Sequence, residues 1–224
     1  RFGPERRAGG EDYQGLHEEI NSTPHSKIPI PRSLKPLPRS FYLRPTIEVA
    51  KDLLGKYIVR KFRGKSLIGK IVEVEAYLGL ADPASHAYRG QPRRNEVMFV
   101  QGGHLYVYFT YGMHFCANVV TREKGIGEAV LIRALEPVDG IEIMSRNRLA
   151  ANPRVKDRDL TRGPARFCQA FGIARKENGA DLQSKTIFIA KGEKISVAKI
   201  ASSPRIGINV AMERKWRFFV KGNA

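Results

Sequence analysis

Cysteine is scarce in this sequence, which has only Cys116 and Cys168 among its 224 residues. Two cysteines cannot build a disulfide framework, and neither stands in the CxxC or Cys/His spacing of a zinc site. We therefore expect a protein of a reducing compartment that works without a metal ion and without a cofactor.

Long apolar runs are missing as well. No stretch approaches the roughly 18 uninterrupted apolar residues of a membrane span, and residues 1–30 hold no apolar core of a secretory signal. These absences predict an intracellular protein that is neither secreted nor inserted in a membrane. Since 42% of the residues are hydrophobic, the chain still has enough apolar material for one compact domain with a sizeable core.

Acidic residues are few relative to basic ones: 39 Lys and Arg face 22 Asp and Glu, a formal net charge of +17. The excess lies mostly in residues 141–224, where 18 basic and 7 acidic side chains give +11. A charge of this size is typical of a protein that binds a polyanion, with nucleic acid the first candidate and an anionic membrane surface the second. A solvated basic face without a ligand would give the same count, although +11 is extreme for one.

Proline divides the chain into two parts. Seven of the 13 prolines fall in the first 45 residues, among mixed charges without hydrophobic periodicity. This composition is typical of a tail or linker, so we predict a Pro-rich flexible tail over residues 1–36 and one domain over residues 37–224.

Regular hydrophobic patterns begin at Pro45. Helical spacing predicts helices at 46–54, 141–149 and 165–171, and hairpin-linked apolar runs predict strands. Because the strands follow one another through hairpins and the helices do not alternate with them, the sequence predicts a single α+β domain with a mostly antiparallel sheet. The predicted strands are 56–62, 67–77, 104–108, 116–120, 128–134, 186–190, 206–210 and 216–220.

The predicted strand 67–77 places Glu73, Glu75 and Tyr77 on one face, because side chains alternate along a strand. In a protein short of acids, two carboxylates on one face suggest a general base, a general acid or a metal ligand. The alternative is a solvent-facing strand with ordinary surface glutamates. His86, which follows Tyr77 after a turn, favours a site.

Three tyrosines, Tyr106, Tyr108 and Tyr111, lie within six residues of one another. Their hydroxyl groups make them harder to bury than phenylalanines, and in a basic protein they suit base stacking or insertion into a duplex.

Two polar residues interrupt the apolar strands that follow. Asn118 either satisfies a turn or reads a purine edge with its amide. Arg133 requires an anionic partner, either a structural carboxylate such as Glu136 or a phosphate.

Two function classes remain open at this point. One is an enzyme that acts on a base taken out of the DNA stack. The other is a non-enzymatic architectural protein whose tyrosines wedge the minor groove. The second explains the charge and the aromatic residues, but not the proximity of Glu75 and His86.

Several blocks of the sequence resemble the alkyladenine (3-methyladenine) DNA glycosylases, in order and over about residues 37–222. The most distinctive are Glu73-Val-Glu-Ala-Tyr77, the stretch from Tyr106 to Asn118, and Arg205-Ile-Gly-Ile208. The other similar segments are 37–42, 50–56, 94–99, 131–137 and 163–169, with His86 between them.

The resemblance implies a fold and an activity. The fold is a single α+β domain on a curved, mostly antiparallel sheet flanked by helices, with residues 37–224 as the catalytic domain. The activity is excision of damaged purines from double-stranded DNA by a monomer found with the genomic DNA, in a bacterial cytoplasm or a eukaryotic nucleus. The family needs neither metal nor cofactor, and no lysine stands in the matched motifs as an amine nucleophile, so lyase activity is not expected.

The resemblance also assigns roles by position. Glu75 matches the general base that activates water, Arg133 a residue that helps to hold that water and the nucleotide backbone, and Ile206 a main-chain contact to the water. Tyr111 matches the side chain that fills the vacated stack. The base-binding positions are Tyr77, His86 and Tyr108, which sandwich the base, Asn118, which crowds a guanine 2-amino group, and Met98. One departure is the absence of a proline before Trp216.

Overall fold

The structure, a computed structural model, describes residues 34–150, 155–156 and 159–223. Four 3₁₀ helices in the described residues accompany the main elements: Gly79–Ala81, Arg93–Phe99, Arg175–Glu177 and Val197–Lys199. The α-helices are α1 (Arg39–Tyr42), α2 (Thr46–Leu53), α3 (Ile141–Leu149) and α4 (Pro164–Phe171). The strands are β1 (Tyr57–Phe62), β2 (Lys65–Leu78), β3 (Leu105–Thr110), β4 (His114–Thr121), β5 (Glu128–Asp139), β6 (Ile187–Ala190), β7 (Ile200–Ser203) and β8 (Arg217–Val220).

One curled sheet joins these strands in the order β3-β4-β5-β2-β1-β6, with β8 added to β2 and β7 added to β8. The pairings between the described strands are antiparallel. Register shifts interrupt the β2–β5 ladder between Ile68 and Gly69 and on both sides of Glu73. Bulges of this kind bend a strand and increase its twist, which curls the sheet. The predicted single α+β domain with a curved antiparallel sheet is confirmed.

Helices α2 and α4 cover the sheet because each has one apolar face. Val49, Ala50 and Leu53 of α2 are 0% exposed, as are Phe167 and Phe171 of α4. Burying a side chain of this size contributes roughly 1.5–3 kcal/mol. The main core therefore lies between these helices and one face of the sheet. The polar side chains of β2 lie on the other face.

One predicted strand is wrong. Residues 206–210 are irregular, and the strand lies earlier, at Ile200–Ser203, where it pairs with β8. The alternation of Ile206, Ile208 and Val210 imitates a strand, but the Ile206 N–H donates to the Glu75 carboxylate instead of a neighbouring strand. Gly207, with φ of 78°, interrupts extended backbone as well.

The other predicted elements are found with shifted ends. Strand β5 continues five residues past the predicted end at 134, and α4 begins one residue early, at Pro164. Proline suits the first position of a helix because the N–H it lacks has no partner there.

Residues 1–33 lie outside the described residues, and with them most of the predicted tail. Leu34 packs against the cluster that contains Tyr57 and Phe188, and Pro36 forms an isolated bridge with Ala190. Within the described part of the chain, none of the helices has the length and apolar composition needed to cross a membrane.

Candidate active site

A cavity of about 360 Å³ opens between strands β2 to β5 and the loop that follows β7. Pro164, the first residue of α4, forms part of its wall. The cavity brings together the predicted base-binding residues with Tyr111 and Arg133, although they are far apart in sequence. Among its lining residues are Tyr77, His86, Met98, Tyr108, Tyr111, Asn118, Arg133 and Ile206.

Glu75 lies on β2 beneath this cavity and is 0% exposed. The Tyr77 hydroxyl donates to Glu75 Oε2 at 2.9 Å, and the Ile206 N–H donates to Oε1 at 2.8 Å. Arg133 Nη1 lies 3.2 Å from the same Oε1. The alternative of an ordinary surface glutamate is therefore wrong for Glu75, because this carboxylate is buried and held by three donors.

Arg133 has carboxylate partners, but not the one expected. Its Nε donates to Glu73 Oε1 at 2.8 Å while Nη1 faces Glu75, whereas Glu136 pairs with Lys70 at 2.7 Å. Glu136 was the wrong expectation because side chains alternate along β5, so Glu136 and Arg133 point to opposite faces of the sheet. The actual partner, Glu73, lies on the neighbouring strand β2. Although burial alone lowers the pKa of Arg133, Glu75 and Glu73 raise it above its usual value.

Glu73 links two guanidinium groups, since Arg217 Nε also donates to Oε1, at 2.6 Å. Burial raises the pKa of Glu73, but its hydrogen bonds with Arg217 and Arg133 outweigh this, and the net pKa is lowered. Glu73 is thus an anion that fixes Arg133 beside Glu75.

His86 and Tyr108 form one aromatic wall of the cavity, with ring centroids 4.4 Å apart. The Tyr106 ring stacks on Tyr108 at 5.6 Å, and its hydroxyl lies 3.1 Å from His86 Nδ1. Tyr106 is 3% exposed, so it does not insert into a duplex, but its ring lines the cavity, where base stacking stays a prediction. Its hydroxyl has a partner that makes this burial possible.

Burial governs protonation in this wall. It lowers the pKa of His86, with a smaller contribution from Arg94. It raises the pKa of Tyr106 to about 12 and that of Tyr108 well above its usual value. At neutral pH the wall therefore consists of an uncharged imidazole and uncharged phenols.

Tyr111 stands at the tip of the β3–β4 hairpin and is 80% exposed. Tyr111 and Gly112 have φ values of 51° and 66°, and the Met113 N–H donates to the Thr110 carbonyl at 3.2 Å. Two successive positive φ values give the tight turn that suits a hairpin, but they are costly at a residue with a side chain. The strain lies at the residue that presents its ring to solvent.

Asn118 lies on β4 opposite Tyr106 and is 5% exposed. Its Nδ2 donates to the Tyr106 carbonyl at 3.3 Å, so its amide serves a strand partner and not a turn. Met98, 3% exposed, comes from the 3₁₀ helix Arg93–Phe99.

Sequence reasoning missed three residues near the cavity. Cys116 lines it two positions before Asn118, and the period of the strand could have shown that they share a face. Arg205 and Asp82 form a buried ion pair beside Tyr77, and no local pattern connects residues so far apart in sequence. Within the described ranges no cluster of three or more His, Cys, Asp or Glu side chains could hold a metal ion.

The geometry defines what the site can do. The cavity has aromatic rings in its walls, and a buried carboxylate with fixed donors lies beneath it. Such a carboxylate can accept a proton from a water molecule placed against the bound group.

Comparisons with known proteins agree on one family. The model of a methylpurine-DNA glycosylase family matches residues 40–224. A protein of Carboxydothermus hydrogenoformans named "Putative 3-methyladenine DNA glycosylase" is 53% identical over 188 residues, which cover 84% of this chain and 96% of the relative. Proteins of the same name from Clostridium acetobutylicum and Burkholderia lata are 46% and 49% identical over 193 and 189 residues. These matches cover 83% and 84% of this chain, and 94% and 88% of the relatives.

Proposed function

Because the chain belongs to the methylpurine-DNA glycosylase family and is therefore a DNA repair glycosylase, we propose that it flips a damaged purine out of duplex DNA and hydrolyses the N-glycosidic bond. The lesions would include 3-methyladenine, 7-methylguanine, hypoxanthine and ethenoadenine. The observation that carries the proposal is the fully buried carboxylate of Glu75 beneath a cavity walled by aromatic rings.

Glu75 is the general base of the proposed reaction. Its Oε1 is occupied by Ile206 and Arg133, and its Oε2 accepts from Tyr77, so the carboxylate cannot rotate freely. A water held against it attacks the anomeric carbon as the bond to the purine breaks, and Glu75 takes the proton. The negative charge also stabilises the oxocarbenium character of the transition state. Arg133 holds the water and the nucleotide backbone.

Tyr77, His86 and Tyr108 sandwich the flipped base. A purine alkylated at N3 or N7 carries a positive charge, and electron-rich rings attract it by roughly 0.5–2 kcal/mol. Because His86 is uncharged at neutral pH, it does not oppose this attraction. Asn118 and Met98 shape the remainder of the pocket, and the amide of Asn118 crowds a 2-amino group, which disfavours undamaged guanine.

Tyr111 fills the gap that the flipped nucleotide leaves. Unstacking a base costs a few kcal/mol, and the cost is lower for a damaged base that pairs badly. An exposed ring on a tight hairpin can occupy the vacated space without rearrangement of the sheet.

Water, not a protein amine, is the nucleophile in this scheme. The product is an abasic site, formed without lyase activity. In this proposal the protein acts on genomic DNA as a monomer.

We further propose that residues 37–224 form the catalytic domain and that residues 1–36 are not required for excision. The family match from residue 40 supports this boundary.

Release of free purine tests the proposed function. The protein is incubated with alkylated duplex DNA in the presence of a chelator, and released bases are separated by chromatography. We expect free 3-methyladenine and 7-methylguanine, together with alkali-sensitive abasic sites in otherwise intact strands. Duplexes that contain hypoxanthine or ethenoadenine are tested in the same way. Lack of release over all four lesion types would contradict the proposal and would favour an architectural role.

A further inference from the structure

The Arg205 side chain is 0% exposed and touches several parts of the site. Its Nη1 donates at 2.9 Å to the carbonyl of Ala76, which lies between Glu75 and Tyr77 on β2. Its guanidinium lies over the Tyr77 ring, 4.6 Å from the centroid, and near Trp216, at 5.1 Å. Tyr77 lines the cavity whereas Arg205 is buried and does not, so the guanidinium packs on the ring from the protein interior.

Asp82 balances this charge. Its two carboxylate oxygens accept from both terminal nitrogens of Arg205, with Nη2–Oδ1 at 2.8 Å, and the Asp82 side chain is 0% exposed. The same carboxylate accepts the N–H groups of Leu78 and Ala84, at 3.3 and 3.2 Å. Asp82 thus fixes the turn that leads from Tyr77 to His86.

Arg205 also fixes the backbone on its other side. Ile206 follows it directly, and the Ile206 N–H donates to Glu75 Oε1 at 2.8 Å. A guanidinium anchored to Ala76 and Asp82 holds this N–H over the carboxylate. One buried ion pair therefore connects the proposed general base, one wall of the sandwich and the turn before His86.

The neutrality of this pair matters for a cationic ligand. A positive charge under Tyr77 that lacked its counter-ion would repel a cation on the other side of the ring, in surroundings with little water to screen it. With Asp82 in place the two charges cancel at short range, and the ring keeps its attraction for a cation.

On the proposed function, we infer that Arg205 and Asp82 are a positioning pair that orients Glu75 through Ile206 and Tyr77, and that its neutrality lets the pocket accept a cationic purine. Neither residue touches the base. Removal of the Asp82 charge should impair excision of cationic lesions more than excision of neutral ones, whereas a purely structural defect would impair both alike.

The experiment compares Asp82→Asn with the wild-type protein on two duplexes, one with cationic 7-methylguanine and one with neutral hypoxanthine. Single-turnover excision rates are measured at subsaturating and saturating protein. We expect the ratio of the two rates, 7-methylguanine over hypoxanthine, to fall by about tenfold or more at subsaturating protein, where binding contributes. The double variant Asp82→Asn with Arg205→Gln removes both charges and should bring the ratio back towards that of the wild type.

Glu177→Gln is the matched control, because Glu177 pairs with Arg60 at 2.6 Å in another buried pair, away from the cavity. This variant should leave the ratio unchanged. An Asp82→Asn protein with an unchanged ratio would overturn the charge argument.

Arg205→Lys keeps both charges of the pair but loses the bidentate hydrogen bonds with Asp82. If thermal melting shows that Asp82→Asn does not fold, this variant tests the positioning role. We expect it to slow excision of both lesions about tenfold or more at saturating protein without a change in their ratio. A wild-type rate in Arg205→Lys would overturn the positioning role. Wild-type protein that excises neither lesion would contradict the proposed function itself.

Discussion

The buried carboxylate of Glu75 is stabilised by hydrogen-bond donors around it. A buried carboxylate is costly unless donors compensate for the lost water, and Glu75 has a phenol, a main-chain N–H and a guanidinium around it. These donors come from three different segments of the chain. The carboxylate therefore helps to hold those segments together as well as facing the cavity.

Replacement of Glu75 by glutamine should separate binding from chemistry. The Gln oxygen can accept from the Ile206 N–H and its NH2 can donate to the Tyr77 hydroxyl, but Gln cannot take the proton of water. We therefore expect excision to fall by at least ~100-fold while lesion binding is retained. Single-turnover excision and equilibrium binding to a lesion duplex measure the two effects. Glu136→Gln, on β5 and paired with Lys70, is the matched control. Excision by Glu75→Gln within tenfold of wild type would show that another group is the base.

Lesion capture should depend on the protonation of His86. Burial and Arg94 lower its pKa below the usual 6.5, so the ring stays neutral in the folded protein at pH 7 and takes a proton only as the pH falls below 6.5. The neutral His86 ring also contributes to the stability of the folded protein. This contribution is present above pH 6.5 and is lost as the pH falls through the lowered pKa.

We expect the affinity for a 7-methylguanine duplex to be constant between pH 8 and 6.5 and to decline below, because a charged imidazole repels the cationic base. Fluorescence anisotropy with the Glu75→Gln protein, which leaves the lesion in place, measures this. A hypoxanthine duplex controls for general effects of acid and should show the smaller decline. A decline that begins above pH 7 would mean that His86 is not the titrating group.

The β3–β4 hairpin presents an exposed tyrosine at the edge of the cavity. Its tip combines an exposed ring with two positive φ values, while the strands behind it are anchored by pairing from Leu105↔Val119 to Thr110↔His114. The paired strands therefore place the Tyr111 backbone at the tip of the hairpin, with its ring in solvent.

Tyr111→Ala should weaken capture of the flipped nucleotide more than binding to undamaged duplex, because the ring fills space and carries no charge for phosphate. Stopped-flow fluorescence of ethenoadenine reports the flipping equilibrium. Tyr111→Phe keeps the ring at the same backbone position and should behave like the wild type. An unchanged flipping equilibrium in Tyr111→Ala would refute the assignment.

Periodicity was sufficient to predict most elements, because their apolar faces are in the core: Val49 and Leu53 on α2 and the alternating residues of β2 are examples. It failed at 206–210, where the backbone serves a carboxylate 131 residues away and not a strand. It also missed Glu73 as the partner of Arg133, since cross-strand neighbours depend on register and bulges that local patterns do not specify. Residue type and alternation placed Glu73 and Glu75 on one face, but they did not identify the donors around Glu75.

The positive net charge of the protein should control its affinity for DNA. The excess of +11 in residues 141–224 predicts that log affinity falls linearly with log salt, with a slope of about −0.9 per contacted phosphate. The slope should be similar on damaged and undamaged duplexes, because recognition of the lesion adds stacking within the pocket and few phosphate contacts.

Lys156→Ala should weaken binding to the damaged and the undamaged duplex by the same factor, if this exposed lysine reaches the DNA backbone. It should also reduce the slope of log affinity against log salt on both duplexes. Arg154 and Arg158, which the same argument includes, lie outside the described residues. Anisotropy titrations over one salt series, with anionic vesicles as the alternative ligand, test the prediction. Preference for vesicles, or a duplex affinity insensitive to salt, would contradict the assignment of the basic third to DNA.

The burial of Cys116 and Cys168, the only cysteines of the chain, has a consequence for survival under chemical stress. Methylating agents that damage purines also attack sulfur, and they attack the thiolate much faster than the thiol. Burial raises the pKa of both thiols, so both stay protonated at neutral pH, including Cys116 where it lines the cavity. On the proposed function, the protonated state of these two thiols slows their methylation in the conditions that methylate purines.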